Sequence, residues 1–67
     1  MIKFIVTRPK DKILVYLMKN KLENTYSYVN ITKDHICPCK FPSIEAAIND
    51  MDKYVKQGKI IKYEIID

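Results

Sequence analysis

The sequence predicts an α+β fold. A four-stranded, mostly antiparallel sheet carries one helix on one face, in the two-layer order β-β-β-α-β. Three observations lead there. Residues 42–58, PSIEAAINDMDKYVKQG, have the period and end signals of a single capped helix. Four other stretches, at 2–7, 12–19, 25–32 and 59–66, are rich in β-branched and aromatic residues. A helix this short is marginal alone, so the strands must supply its partner surface.

The first strand, IKFIVT, alternates with Ile2, Phe4 and Val6 on one face and Lys3 and Thr7 on the other, with Ile5 the exception. Arg8-Pro9-Lys10-Asp11 reads as a turn, because proline pre-sets the backbone for its second position. The second strand, KILVYLMK, is apolar on both faces. If the helix covers Ile13, Val15 and Leu17, then Leu14, Tyr16 and Met18 lie on the other face. Residues 20–24, NKLEN, form the second turn, and TYSYVNIT is the third strand. Residues 32–41 are expected to be a loop.

In the helix, about 43–57, Ile44, Ala47, Ile48, Met51, Tyr54 and Val55 fall within a stripe roughly 120° wide. Glu45, Asn49, Asp52, Lys53 and Lys56 occupy the opposite side. Ser43 stands at the N-cap, where its hydroxyl can accept an unpaired amide. Pro42 keeps Phe41 extended and so blocks an earlier start. Glu45 and Lys56 suit the two ends of the helix dipole. Asp52 and Lys56 are spaced i,i+4 in the favourable order. Gly58, the single glycine, stands where a left-handed C′ residue is wanted. Burial of Ile44, Ile48, Met51 and Val55 contributes about 6–12 kcal/mol gross. In the closing strand Ile61, Tyr63 and Ile65 face one way, and Lys62 and Glu64 the other.

Sixty-seven residues, 48% of them hydrophobic, make one domain over 1–67 with a single core. No run of 18 apolar residues is present, and MIKFIVTRPK lacks the apolar stretch of a signal peptide, so a cytoplasmic protein without membrane contact is expected. In that compartment the two cysteines are expected as thiols. Eleven isoleucines and eleven lysines, with abundant Asn and Tyr, are the residue set of AT-rich codons. Some lysines are therefore compositional. In size and composition the chain is similar to the short accessory reading frames of phages and mobile elements from low-GC bacteria. That resemblance implies an accessory role and assigns no functional residue.

His35, Cys37 and Cys39 are the candidate metal ligands, since imidazole and thiolate bind zinc. One residue between the cysteines is shorter than the usual zinc spacing, and no fourth ligand is evident, so no metal or other cofactor is expected. A Cys-x-Cys pair is likewise unsuited to redox exchange, because its disulfide would close a strained ring. No nucleophile elbow, phosphate-binding glycine loop or paired carboxylates appear. The chain is expected not to be an enzyme, and no small-molecule substrate is evident.

The net charge is +4 and the pI near 9.1. A meander places Arg8, Lys10 and Lys12 at one end of the sheet, with Lys33 and Lys40 returning to it. Lys19, Lys21, Lys56 and Lys59 then gather at the other end. A nucleic-acid reading uses Arg8, Lys10, Lys12, Lys33 and Lys40 for phosphates, with Tyr26 and Tyr28 stacking single-stranded bases or RNA. The preferred reading is protein binding. Leu14, Tyr16 and Met18, joined from the third strand by Tyr26 and Tyr28 or else by Val29 and Ile31, with the two tyrosines preferred, are expected to form an uncovered apolar face for a protein partner or a second copy, giving a homodimer.

Overall fold

The computed structural model describes residues 2–66, leaving Met1 and Asp67 outside the description. Five strands and one helix follow in the order β1 (Lys3–Thr7), β2 (Lys12–Asn20), β3 (Thr25–Asn30), β4 (His35–Ile36), α1 (Ile44–Lys56) and β5 (Lys62–Ile66). All pairings are antiparallel, in the spatial order β4-β3-β2-β1-β5. The α+β architecture is thus as the sequence predicts, with one strand more. That strand, β4, is two residues long inside the expected loop, too short to show a period.

Strands β1 to β4 form a meander. Helix α1 then carries the chain from the β4 edge to the opposite edge, where β5 pairs with β1. The helix starts beside β3, because Phe41 bridges Tyr26 through two backbone hydrogen bonds of 2.8 Å. It ends near Thr7, whose carbonyl accepts the Ile61 amide at 2.8 Å. Its 13 residues span about 20 Å, enough to cross the sheet along the strands.

The core lies between α1 and one face of the sheet. Phe4, Val6, Ile13, Val15 and Leu17 from the strands meet Ala47 and Met51 from the helix, and Ile60 closes one end. Phe4 is completely buried and packs edge-on against the rings of Tyr28 and Tyr63, 6.3 and 5.9 Å away. Ile44, Ile48, Tyr54 and Val55 flank this core, so the whole expected helix stripe faces the sheet.

Both helix ends close as the sequence implies. The Ser43 hydroxyl accepts the Ala46 amide at 3.0 Å. At the other end the Gly58 amide bonds the Val55 carbonyl and the Lys59 amide bonds that of Tyr54, at 3.1 and 3.0 Å. This is a Schellman motif, with Gly58 at φ 75°. The Lys59 ammonium then sits 5.3 Å above the Tyr54 ring.

No atom lies within 4 Å of a Cβ built on Gly58, so backbone strain alone sets the effect of substitution there. Gly58→Ala should cost about 1 kcal/mol in urea denaturation, and Gly58→Asn less, since asparagine tolerates the left-handed region.

Candidate functional site: the open face of the sheet

The strand register sorts every side chain to a face, because directly opposed residues point the same way. Phe4 opposes Val15 and Ile65, and Val6 opposes Ile13 and Tyr63, all on the helix side. On the other face, one row runs Ile36, Val29, Tyr16, Lys3 and Ile66 from β4 to β5. The next row runs Ile31, Leu14, Ile5 and Glu64, with the Ile31 amide bonded to the Leu14 carbonyl at 2.9 Å. Met18 extends the β2 column beside Ser27.

Among the described residues, no element lies over this face. Leu14, Tyr16, Met18, Val29 and Ile5 are half-buried only by one another and their neighbours, and Ile36 keeps 60% of its surface exposed. Lysines frame the patch. Lys3 sits between Tyr16 and Ile66, and Lys12 and Lys62 flank Thr7 at one end. Glu64 is the acid among them, 4.0 Å from Lys62.

Leu14, Tyr16 and Met18 therefore lie together as expected, but Tyr26 and Tyr28 do not join them. Tyr28 opposes Leu17, and Tyr26 opposes Lys19, on the helix side. The cause is one residue of register. Strand β2 extends to Asn20, which pairs with Thr25 across a four-residue turn. A five-residue turn would have put both tyrosines on the open face. The Tyr28 hydroxyl donates to the Ala47 carbonyl at 2.6 Å and lies 3.3 Å from the Asp50 carboxylate. Its ring packs at 5.0 Å from that of Phe41. Tyr26 packs near Ile2, Leu17 and Ile44, with the Lys19 ammonium over its ring at 5.9 Å. The alternative pair, Val29 and Ile31, lies on the open face instead, with Ile36 beside Val29.

The residues of the nucleic-acid reading are not brought together either. The Arg8 guanidinium grips the Asp11 carboxylate with two bonds of 2.6 Å. That bond holds the Asp11 carboxyl below its ordinary value. Lys40 pairs with Glu23 at the far end of the sheet, away from Arg8, Lys10, Lys12 and Lys33. It goes there because residues 37–41 run back along β3, bonding Cys37 to Tyr28 and Phe41 to Tyr26. Conversely, Lys59 lies beside Arg8 and Lys10, and Lys56 beside Ile61 and Lys62, at the end opposite to expectation. Tyr26 and Tyr28, beneath the helix, present no stacking platform.

Between Cys37 and Phe41 the chain bulges away from β3, and Ser27 plugs the gap. Its hydroxyl donates to the Cys39 carbonyl at 2.6 Å and accepts the Asn20 side-chain amide at 2.9 Å. This accounts for a buried serine on the open side of the sheet. Both cysteines are free thiols, and the Cys39 amide approaches the Cys37 sulfur at 3.4 Å. Burial, with the hydrogen bond to Cys37, pushes the Cys39 thiol up to about 11. Among the described residues, no group of three His, Cys, Asp or Glu side chains is placed to hold a metal ion. His35 and Cys37 instead border a cleft of about 200 Å³ between α1 and the sheet, floored by Val15, Tyr28 and Met51. That is below the roughly 300–1,000 Å³ of ordinary small-molecule pockets.

Comparison with protein-family models, with characterised proteins and with solved structures finds no match to this chain. Among the described residues, no helix is long and apolar enough to cross a membrane.

Two measurements check this geometry. Burial, with the nearby Asp50 charge, raises the Tyr28 hydroxyl above its ordinary value of 10.0. The unfolded chain therefore loses this proton first, and the stability Tyr28 contributes is present below about pH 10 and declines as pH rises beyond it. Tyr28→Phe should cost about 1 kcal/mol at neutral pH and flatten the alkaline decline in thermal midpoint. A thiol raised to about 11 is about one part in a thousand ionised at pH 8. Cys39 in a Cys37→Ser variant should thus alkylate far more slowly in the folded than in the urea-unfolded protein.

Proposed function

We propose that this chain is a small, non-enzymatic accessory protein of the phage or mobile-element kind. It acts inside the cell by binding a protein partner on the open face of its sheet. The observation that carries the reading is the continuous apolar surface of Ile36, Val29, Tyr16, Ile31, Leu14 and Ile5, with no described element over it. Contiguous apolar surface rimmed by charged residues marks interaction sites, because leaving it in water forgoes the largest favourable term in association. An intracellular setting suits two free thiols.

The charge around the patch favours one kind of partner. Lys3, Lys12 and Lys62 against Glu64 leave the open face net positive. Two such faces stacked on each other repel, whereas an apolar surface rimmed by Asp and Glu is complementary. The reading is therefore a hetero-association with an acidic, amphipathic protein segment on this face.

Site-specific photo-crosslinking in the native host tests it. A benzophenone amino acid at Tyr16 should give discrete adducts with an acidic protein, and one at Lys53 on the outer side of α1 should not. Leu14→Glu should abolish the Tyr16 adducts while the thermal midpoint stays within a few degrees. Equal labelling at both positions, or adducts with nucleic acid lost steeply as salt rises, would contradict the reading.

A further inference from the structure

We propose that two copies of this chain pair edge to edge through β5, antiparallel, about a two-fold axis at Tyr63. The two open faces then form one ten-stranded platform. The pairing is argued from the β5 edge itself, and only the platform's use rests on the function proposed above.

The sheet has two unlike edges. On one side β4 is two residues long and leads into the Pro38 bulge, so little ladder is on offer. On the other, β5 is five residues without a proline, and no strand lies beyond it among the described residues. Ile65, on this strand, is 48% exposed. A regular edge strand with exposed isoleucines is a template for strand addition unless something blunts it.

Hydrogen-bond parity shows which groups are free. The Arg8 amide bonds the Asp11 carbonyl, and the Leu17 amide bonds the Ile2 carbonyl. Even-numbered residues of β1 therefore direct their backbone groups to β2, and Lys3, Ile5 and Thr7 direct theirs to β5. Their partners Ile66, Glu64 and Lys62 point inward. Tyr63 and Ile65 are left with amides and carbonyls aimed away from the sheet.

The side chains select the register. In an antiparallel pair, opposed residues share a face, so a two-fold axis must pass through a residue position. An axis at Lys62 or at Glu64 sets that residue against its own copy, like charge on like charge. An axis at Tyr63 sets Lys62 against Glu64 twice, and it joins the outward amide and carbonyl of Tyr63 to those of its counterpart, while Ile61, whose amide is bonded to the Thr7 carbonyl, lies outside the ladder. Lys62 and Glu64 already share the open face, so the alternation of charge along β5 is self-complementary in this register alone. The axis is normal to the sheet, which leaves both helices on one side and both open faces on the other. An edge of this length buries less than the roughly 1,200 Å² of a stable interface, so the dimer is concentration-dependent.

Sedimentation equilibrium on the whole chain, from about 10 µM to 1 mM, tests the pairing. The weight-average mass should climb from 7.9 kDa toward twice that value. Ile65→Pro removes an outward amide and leaves the β1 ladder complete, so it should hold the mass near 7.9 kDa with an unchanged circular dichroism spectrum. Glu64→Lys should weaken dimerisation at least tenfold, and Lys62→Glu combined with Glu64→Lys should restore it. A wild-type chain that stays monomeric at 1 mM overturns the proposal. So does a dimer that survives Glu64→Lys, which would place the contact elsewhere. Neither result bears on the photo-crosslinks at Tyr16.

Discussion

One helix can cover only one face of a sheet, and the rest of this structure follows from that limit. Strand β2 is apolar on both sides, so whichever side the helix takes, the other remains apolar and uncovered. The burial pattern records the choice. Ile13, Val15 and Leu17 alternate as buried residues with half-buried Leu14, Tyr16 and Met18. Phe4 fixes the covered side by filling the space between the β1 backbone and α1, held between two tyrosine rings.

The polar groups near the core serve the same arrangement. Tyr28 reaches up from β3 to the helix backbone, and Tyr63 donates its hydroxyl to Asp52 from the opposite edge. These two hydrogen bonds tie α1 to the sheet on either side of Phe4. Ser27 ties the Cys37–Phe41 segment to β3. Aromatic residues that look in the sequence like a binding platform are thus the fastenings of the helix. The surface left for a partner is mostly aliphatic.

The helix was legible in the sequence because each of its signals is local. Ser43, Gly58 and the apolar stripe all act within one or two turns, and each has the predicted role. Strands β1, β2 and β5 were legible for the same reason, except that β5 begins at Lys62 and not at Lys59, because the Lys59 and Ile60 amides close the helix end on the Tyr54 carbonyl. What stayed hidden depends on contacts distant along the chain. The face of Tyr26 and Tyr28 hangs on whether the second turn has four residues or five, a difference that shifts neither composition nor alternation. Strand β4 exists only because β3 is there to pair with it. Lys40 reaches Glu23 because residues 37–41 turn back along β3, which the local sequence does not announce. The candidate site was accordingly half legible: its β2 residues were, its β3 residues Val29 and Ile31 stood only as the alternative to Tyr26 and Tyr28, and β4 was not.

The central claim is that the face bearing Leu14, Met18, Val29 and Ile36 is open to solvent in the free protein while Val15 and Leu17 are sealed. A neutral paramagnetic probe added to dilute, methyl-labelled protein measures this directly by NMR. Relaxation enhancement should be large at the Leu14, Met18, Val29 and Ile36 methyls and small at those of Val15 and Leu17. Equal protection of both sets would contradict the account, since it would mean that this face is already covered.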